Sequence, residues 1–135
     1  MGKVLRITNK TRGTEIGGNI RLADSTVSRL VGLLGSAPLQ PGEGLLLRPS
    51  SGVHTFGMRF PIDVVTLDAG MRVLGVWRDV GRCRIVGLGW KTREVLELAA
   101  GSTHEGLLQV GDLLEARPSG HPPRSRAEAR NDQPE

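Results

Sequence analysis

Aromatic residues are scarce: Phe56, Phe60, Trp77 and Trp90 are the whole supply in 135 residues, and tyrosine is absent. Binding of single-stranded nucleic acid by stacking needs aromatic platforms on a basic face, and this chain has too few to build one. Cysteine is limited to Cys83, which excludes an internal disulfide framework and any zinc site of the usual multi-cysteine type. No apolar run approaches the ~20 residues a helix needs to cross a bilayer. The first residues, Met1 to Arg6, carry charge but no apolar stretch of roughly 7–15 residues, so no signal peptide is expected and the expected compartment is cytoplasmic. Lysine is rare as well. Of 18 basic residues only Lys3, Lys10 and Lys91 are lysines, and against 14 acidic residues the net charge is +4. Basic and acidic residues are interspersed over most of the chain, and the one local cluster, Arg78, Arg82 and Arg84, reads as a solvated loop, so no nucleic-acid partner is expected.

What the chain has in quantity is backbone punctuation, with 19 glycines and 8 prolines. Short apolar runs lie between these turn signals, a pattern of strands rather than of a helical bundle. Val4 to Ile7, a run ending at Ile20 to Ala23, Leu45 to Leu47, Gly52 to Met58, Ile62 to Leu67, Met71 to Arg78, Arg93 to Leu98 and Leu113 to Ala116 read as strands. Asp68-Ala69-Gly70 reverses the chain into a hairpin. One helix is expected at about residues 25–34: Asp24 caps it, Val27, Leu30, Val31 and Leu34 follow at helical spacing, and Gly35 ends it. The expected fold is mainly β, a compact antiparallel β-sandwich or distorted barrel with that one short α-helix. Arg117 to Glu135 contains no Leu, Ile, Val, Phe, Met or Trp. A segment with nothing to bury cannot offset its ordering entropy, so 1–116 is read as one domain and 117–135 as a disordered tail.

Most catalytic signatures fail. Gly87-Leu88-Gly89 lacks the third glycine of a dinucleotide fingerprint, and His104-Glu105 has Leu108 where a zinc-protease helix needs its second histidine. Arg82 and Arg84 flank Cys83 and favour its thiolate, but no histidine or asparagine adjoins it, and it reads as an exposed loop thiol. The densest chemistry lies in Val53 to Asp63. If that stretch is extended, His54, Phe56 and Met58 share one face, a pair of soft ligands separated by an apolar wall. Two ligands do not make a metal site, so neither metal nor cofactor is expected. Asp63, heading a β-branched strand, must find backbone amides, Arg59 or a ligand if it is buried.

Several blocks occur in order: Gly32-Leu33-Leu34-Gly35, Gly42 to Leu47, His54 to Asp68, Val95-Leu96-Glu97-Leu98 and Gly111-Asp112. Together they resemble the domain of unknown function 192 family of small bacterial and archaeal proteins, over about Val4 to Ala116. The resemblance implies a β-sandwich-like fold with a short helix, and it implies no established reaction. Many relatives have Trp-Met-Lys-Asn-Thr in the region of Phe56 to Phe60; Met58, Arg59 and the later Asp63 match, and the Asn-Thr pair is absent.

Two function classes follow. The first is a non-catalytic binding module, a monomer taking a small molecule or peptide in a pocket lined by His54, Met58, Arg59 and Asp63, with Glu97 reaching the same side. The second is a metal-binding protein or small enzyme using His54 with Met58, Asp63 or Glu97.

Overall fold

Asn9 starts the first reversal. Its Oδ1 accepts from the N–H groups of Thr11 (3.1 Å) and Arg12 (3.3 Å), and Gly13 takes φ +71°, which a side chain would resist. Strand β1 (Val4–Asn9) therefore returns antiparallel as β2 (Thr14–Ala23). This computed structural model describes residues 3–25, 38–54, 59–81 and 84–119, with backbone alone for 53 and 54. Within them follow β3 (Glu43–Leu47), β4 (Val53–His54), β5 (Ile62–Leu67), β6 (Val73–Val80), β7 (Ile85–Val86), β8 (Glu94–Ala99) and β9 (Leu114–Pro118). Seven of these form one sheet in the order β6-β5-β8-β3-β2-β1-β9, and β4 and β7 pair as a separate ribbon. The fold is mainly β, and its large sheet curls into a half-barrel.

All pairings are antiparallel except β2 with β3, whose parallel register runs from Asn19↔Glu43 to Ala23↔Leu47. The sheet is thus mixed rather than wholly antiparallel, because the chain between Ala23 and Glu43 crosses over instead of making a hairpin. The helix expected at 25–34 lies, apart from Ser25, outside the described residues. β7 was not anticipated, since two residues inside a loop leave no period to read. The expected boundary at residue 117 also moves. β9 continues through Arg117↔Arg6 and Pro118↔Leu5, and the Ser119 N–H donates to Val4 O at 3.0 Å. Ladder bonds come from the backbone, so a segment with no apolar side chains still extends an edge strand.

Both faces of the central strands are covered. Each of the six residues of β5 and of β8 is buried, the pattern of strands packed on two sides. One face carries Leu46, Val65, Leu67, Leu96 and Leu98 with Ile7, Ile20, Leu108 and Leu114. The other carries Leu45, Leu47, Ile62, Val64 and Val95, against which Leu39, Phe60, Trp77 and Val86 pack. Gly44 is required for the close approach of β3 to β8: a Cβ there would sit 2.5 Å from the carbonyl oxygen of Glu97. At the sheet edge Asp112 Oδ2 accepts from Asn9 Nδ2 (2.8 Å), Arg12 Nε (2.7 Å) and the Gln109 N–H (3.0 Å), tying the β1–β2 turn to the segment before β9. Burial pushes this carboxyl up, but those three donors and the Arg12 charge outweigh it and hold it below its usual range.

Candidate functional site

Register decides which candidate residues meet. Asp63 pairs with Leu98 and Val64 with Glu97 across the β5–β8 ladder. A one-residue offset reverses the face of a strand side chain, so Asp63 joins the Leu98 side and Glu97 the Val64 side. The structure does not bring Asp63 and Glu97 together.

Asp63 is fully buried and fully occupied. Its Oδ1 accepts from the Asp79 N–H (2.9 Å), and its Oδ2 from the N–H of Gly101 (3.1 Å), the N–H of Thr103 (3.0 Å) and Thr103 Oγ1 (2.7 Å). Asp79 has φ +54°, and this bond helps hold it there. Arg78 strengthens the same join, its Nε donating to Thr103 O (2.7 Å) and its Nη2 to Leu108 O (3.3 Å). Of the partners foreseen for Asp63, the backbone amides are the ones present. Thr103 itself left no signal in the sequence, since a threonine inside a loop announces nothing about the strand it will serve.

Glu97 is the opposite case. It is 5% exposed, and the residues on its face by register and strand period are Leu45, Val64, Val95 and Ala99. Among the described residues it has no hydrogen-bond or ion-pair partner. Burial alone pushes its carboxyl up from 4.5 to about 7. The cation nearest by register is the exposed Arg21, which pairs with Leu45 and so stands two strand widths away, roughly 10 Å between backbones. Trp77, paired with Val64, closes the other side of this face. Its ring lies over Gly75, where a Cβ would come 2.5 Å from the ring. A buried acid amid apolar side chains can give or take one proton near neutral pH and can pair with one donor or cation.

The remaining candidates come from the segment leading into β5. His54 pairs through its backbone with Ile85 in the β4–β7 ribbon, whose Val86 packs on the Glu97 face of the sheet. Met58 lies outside the described residues. Arg59 is exposed in the bend before Phe60, which packs on that same face. Among the described residues no three His, Cys, Asp or Glu side chains gather in a way that could hold a metal ion.

The family model of DUF192, described as uncharacterized ACR, matches residues 7–116. This chain belongs to the DUF192 family. Two solved structures share the fold of this DUF192 domain. A protein of unknown function from Novosphingobium aromaticivorans is 18% identical, with a TM-score of 0.72 and 84% of each chain covered. A protein from Sinorhizobium meliloti, provisionally described as a transcription regulator, is 20% identical, with a TM-score of 0.71 and coverage of 86% of this chain and 94% of its own. No curated protein matches the sequence. No helix among the described residues of this DUF192 chain is long and apolar enough to cross a membrane.

Proposed function

We propose that this DUF192 domain is a non-catalytic binding module whose ligand seat is the sheet face carrying Glu97, with the His54–Asp63 segment at its border. The observation that carries the reading is Glu97, a carboxyl only 5% exposed that has no hydrogen-bond or ion-pair partner among the described residues and shares its face with Leu45, Val64, Val95 and Ala99. Ligand sites commonly combine an apolar lining with a few polar groups that fix orientation, and Glu97 is such a group. A carboxyl whose ionisation burial opposes near neutral pH gains most from a ligand that stabilises its charge, so the ligand class is a small apolar body bearing an ammonium group. His54, Met58 and Arg59 are kept as further candidate ligand contacts on the strength of the sequence alone. Asp63 serves it indirectly, by fixing the end of β5 and the loop at 101–103.

A metal-dependent or enzymatic reading gains less support. Asp63 spends both oxygens on protein donors, which takes it out of the set proposed for that chemistry. Amide chemical shifts of the labelled protein, followed during titration with phenethylamine and with 3-phenylpropionate, which has a carboxylate in place of the ammonium group, separate the readings. The amine should give saturating shifts confined to Leu45, Val64, Val95 and Glu97, lost in Glu97→Gln, while the carboxylate gives none. Equal response to both probes, or no response at these positions, contradicts the binding reading.

A further inference from the structure

Trp90 is 82% exposed, Leu88 72% and Ile85 58%, three large apolar side chains within six residues. Their loop is braced against the sheet. The Gly89 N–H donates to Ser51 O (3.3 Å), the Thr92 N–H to Gly89 O (3.2 Å), and the buried Thr92 Oγ1 to Gly87 O (3.3 Å). Gly87 takes φ +76°, and a Cβ there would come 2.5 Å from Thr66 Cγ2, so the loop is seated on β5. Arg93 Nη1 donates to Trp90 O at 2.7 Å, and Lys91 Nζ stands 5.0 Å from the Trp90 ring centroid. A tryptophan held outward by this many bonds is presented rather than merely uncovered.

Charge follows the same loop. Residues 80–93 contain Arg82, Arg84, Lys91 and Arg93 and no aspartate or glutamate, which equals the +4 net charge of the whole chain. Glu94, the next acid, is buried and paired with Arg48. We propose that this loop is an interfacial anchor that docks the domain on an anionic lipid bilayer. Leu88 and Trp90 enter the boundary between headgroups and acyl chains, and Arg84, Lys91 and Arg93 meet the lipid phosphates and carboxylates. Tryptophan prefers that boundary because its ring is apolar and its N–H polar, and nearby cations add attraction to negative lipid. Aliphatic Leu88 and Ile85 favour a bilayer over nucleic acid, since neither side chain can stack on a base or pair with a phosphate. This surface adjoins the Glu97 face through Val86, but the proposal does not rest on ligand binding there.

The test is sedimentation of the full chain with vesicles of phosphatidylcholine alone and of phosphatidylcholine mixed with phosphatidylserine. The protein should pellet with the mixed vesicles and not with the neutral ones, and raised salt should release it. Trp90→Ala and Leu88→Ser alter exposed side chains and should melt as the parent does, yet each should lower the partition coefficient by roughly tenfold. Absence from the mixed-vesicle pellet, or unchanged binding in both variants, overturns the proposal. So does a chain that ignores vesicles but retains a single-stranded oligonucleotide or forms a Trp90-dependent dimer.

Discussion

Asp63 and Glu97 stand one register step apart on neighbouring strands and face opposite sides of the sheet. The contrast in their surroundings is as sharp as the contrast in direction. Asp63 is held by three backbone amides and a hydroxyl, while Glu97 is paired by register with Leu45 and Val64 and has no hydrogen-bond or ion-pair partner among the described residues. One acid organises the fold and the other weakens it, a difference that stability measurements can read separately.

For Glu97 the sign follows from its raised value. The unfolded chain loses this proton near 4.5 and the folded chain near 7, so the folded state binds more protons between those limits. Stability should therefore fall as pH rises from about 4.5 to about 7 and level off above, a loss of ~3 kcal/mol if the whole shift is expressed. Glu97→Gln should remove that slope and be the more stable form at pH 8. Urea midpoints for both proteins across this range provide the check, and parallel profiles would contradict it.

For Asp63 the expectation is reversed. Asp63→Ala leaves several buried donors without an acceptor and should cost roughly 3 kcal/mol, whereas Asp63→Asn, which keeps one acceptor oxygen, should cost less. Denaturant midpoints measured together would show the order. Equal midpoints for wild type and Asp63→Ala would mean that the loop at 101–103 holds without its anchor.

The C-terminal boundary gives a third test. A chain ending at Ser119 keeps the β9 ladder to Leu5 and Arg6, and a chain ending at Ala116 loses Arg117 and Pro118 from it. The Ser119 form should melt within about 2 °C of the full chain, with the Ala116 form clearly lower. Coincident melts for the two truncations would show that the last rungs contribute nothing.

The strands were legible because their apolar runs are short and bounded by glycine, proline and asparagine. Ile62–Leu67 and Glu94–Ala99 appear close to their expected limits. The parallel β2–β3 pairing was not legible, since which strand neighbours which depends on a crossover and not on either strand's composition. The site was half legible. Asp63 and Glu97 both stand out as acids inside apolar strands, but their faces depend on the β5–β8 register, which no single strand encodes. Thr103 and Gly101, the donors that claim Asp63, lie about forty residues away and carry no local pattern.

The central claim is that Glu97, a buried carboxyl without a partner among the described residues, is kept for a cationic ligand, and its own titration tests this most directly. Carbon-13 labelling of the glutamate side chains allows the Glu97 carboxyl to be followed from acid to alkaline pH, with and without phenethylamine. The account predicts a midpoint of about 7 for the free protein, moving clearly lower in the presence of the amine. A midpoint near the ordinary 4.5, or one that the amine leaves in place, would contradict it.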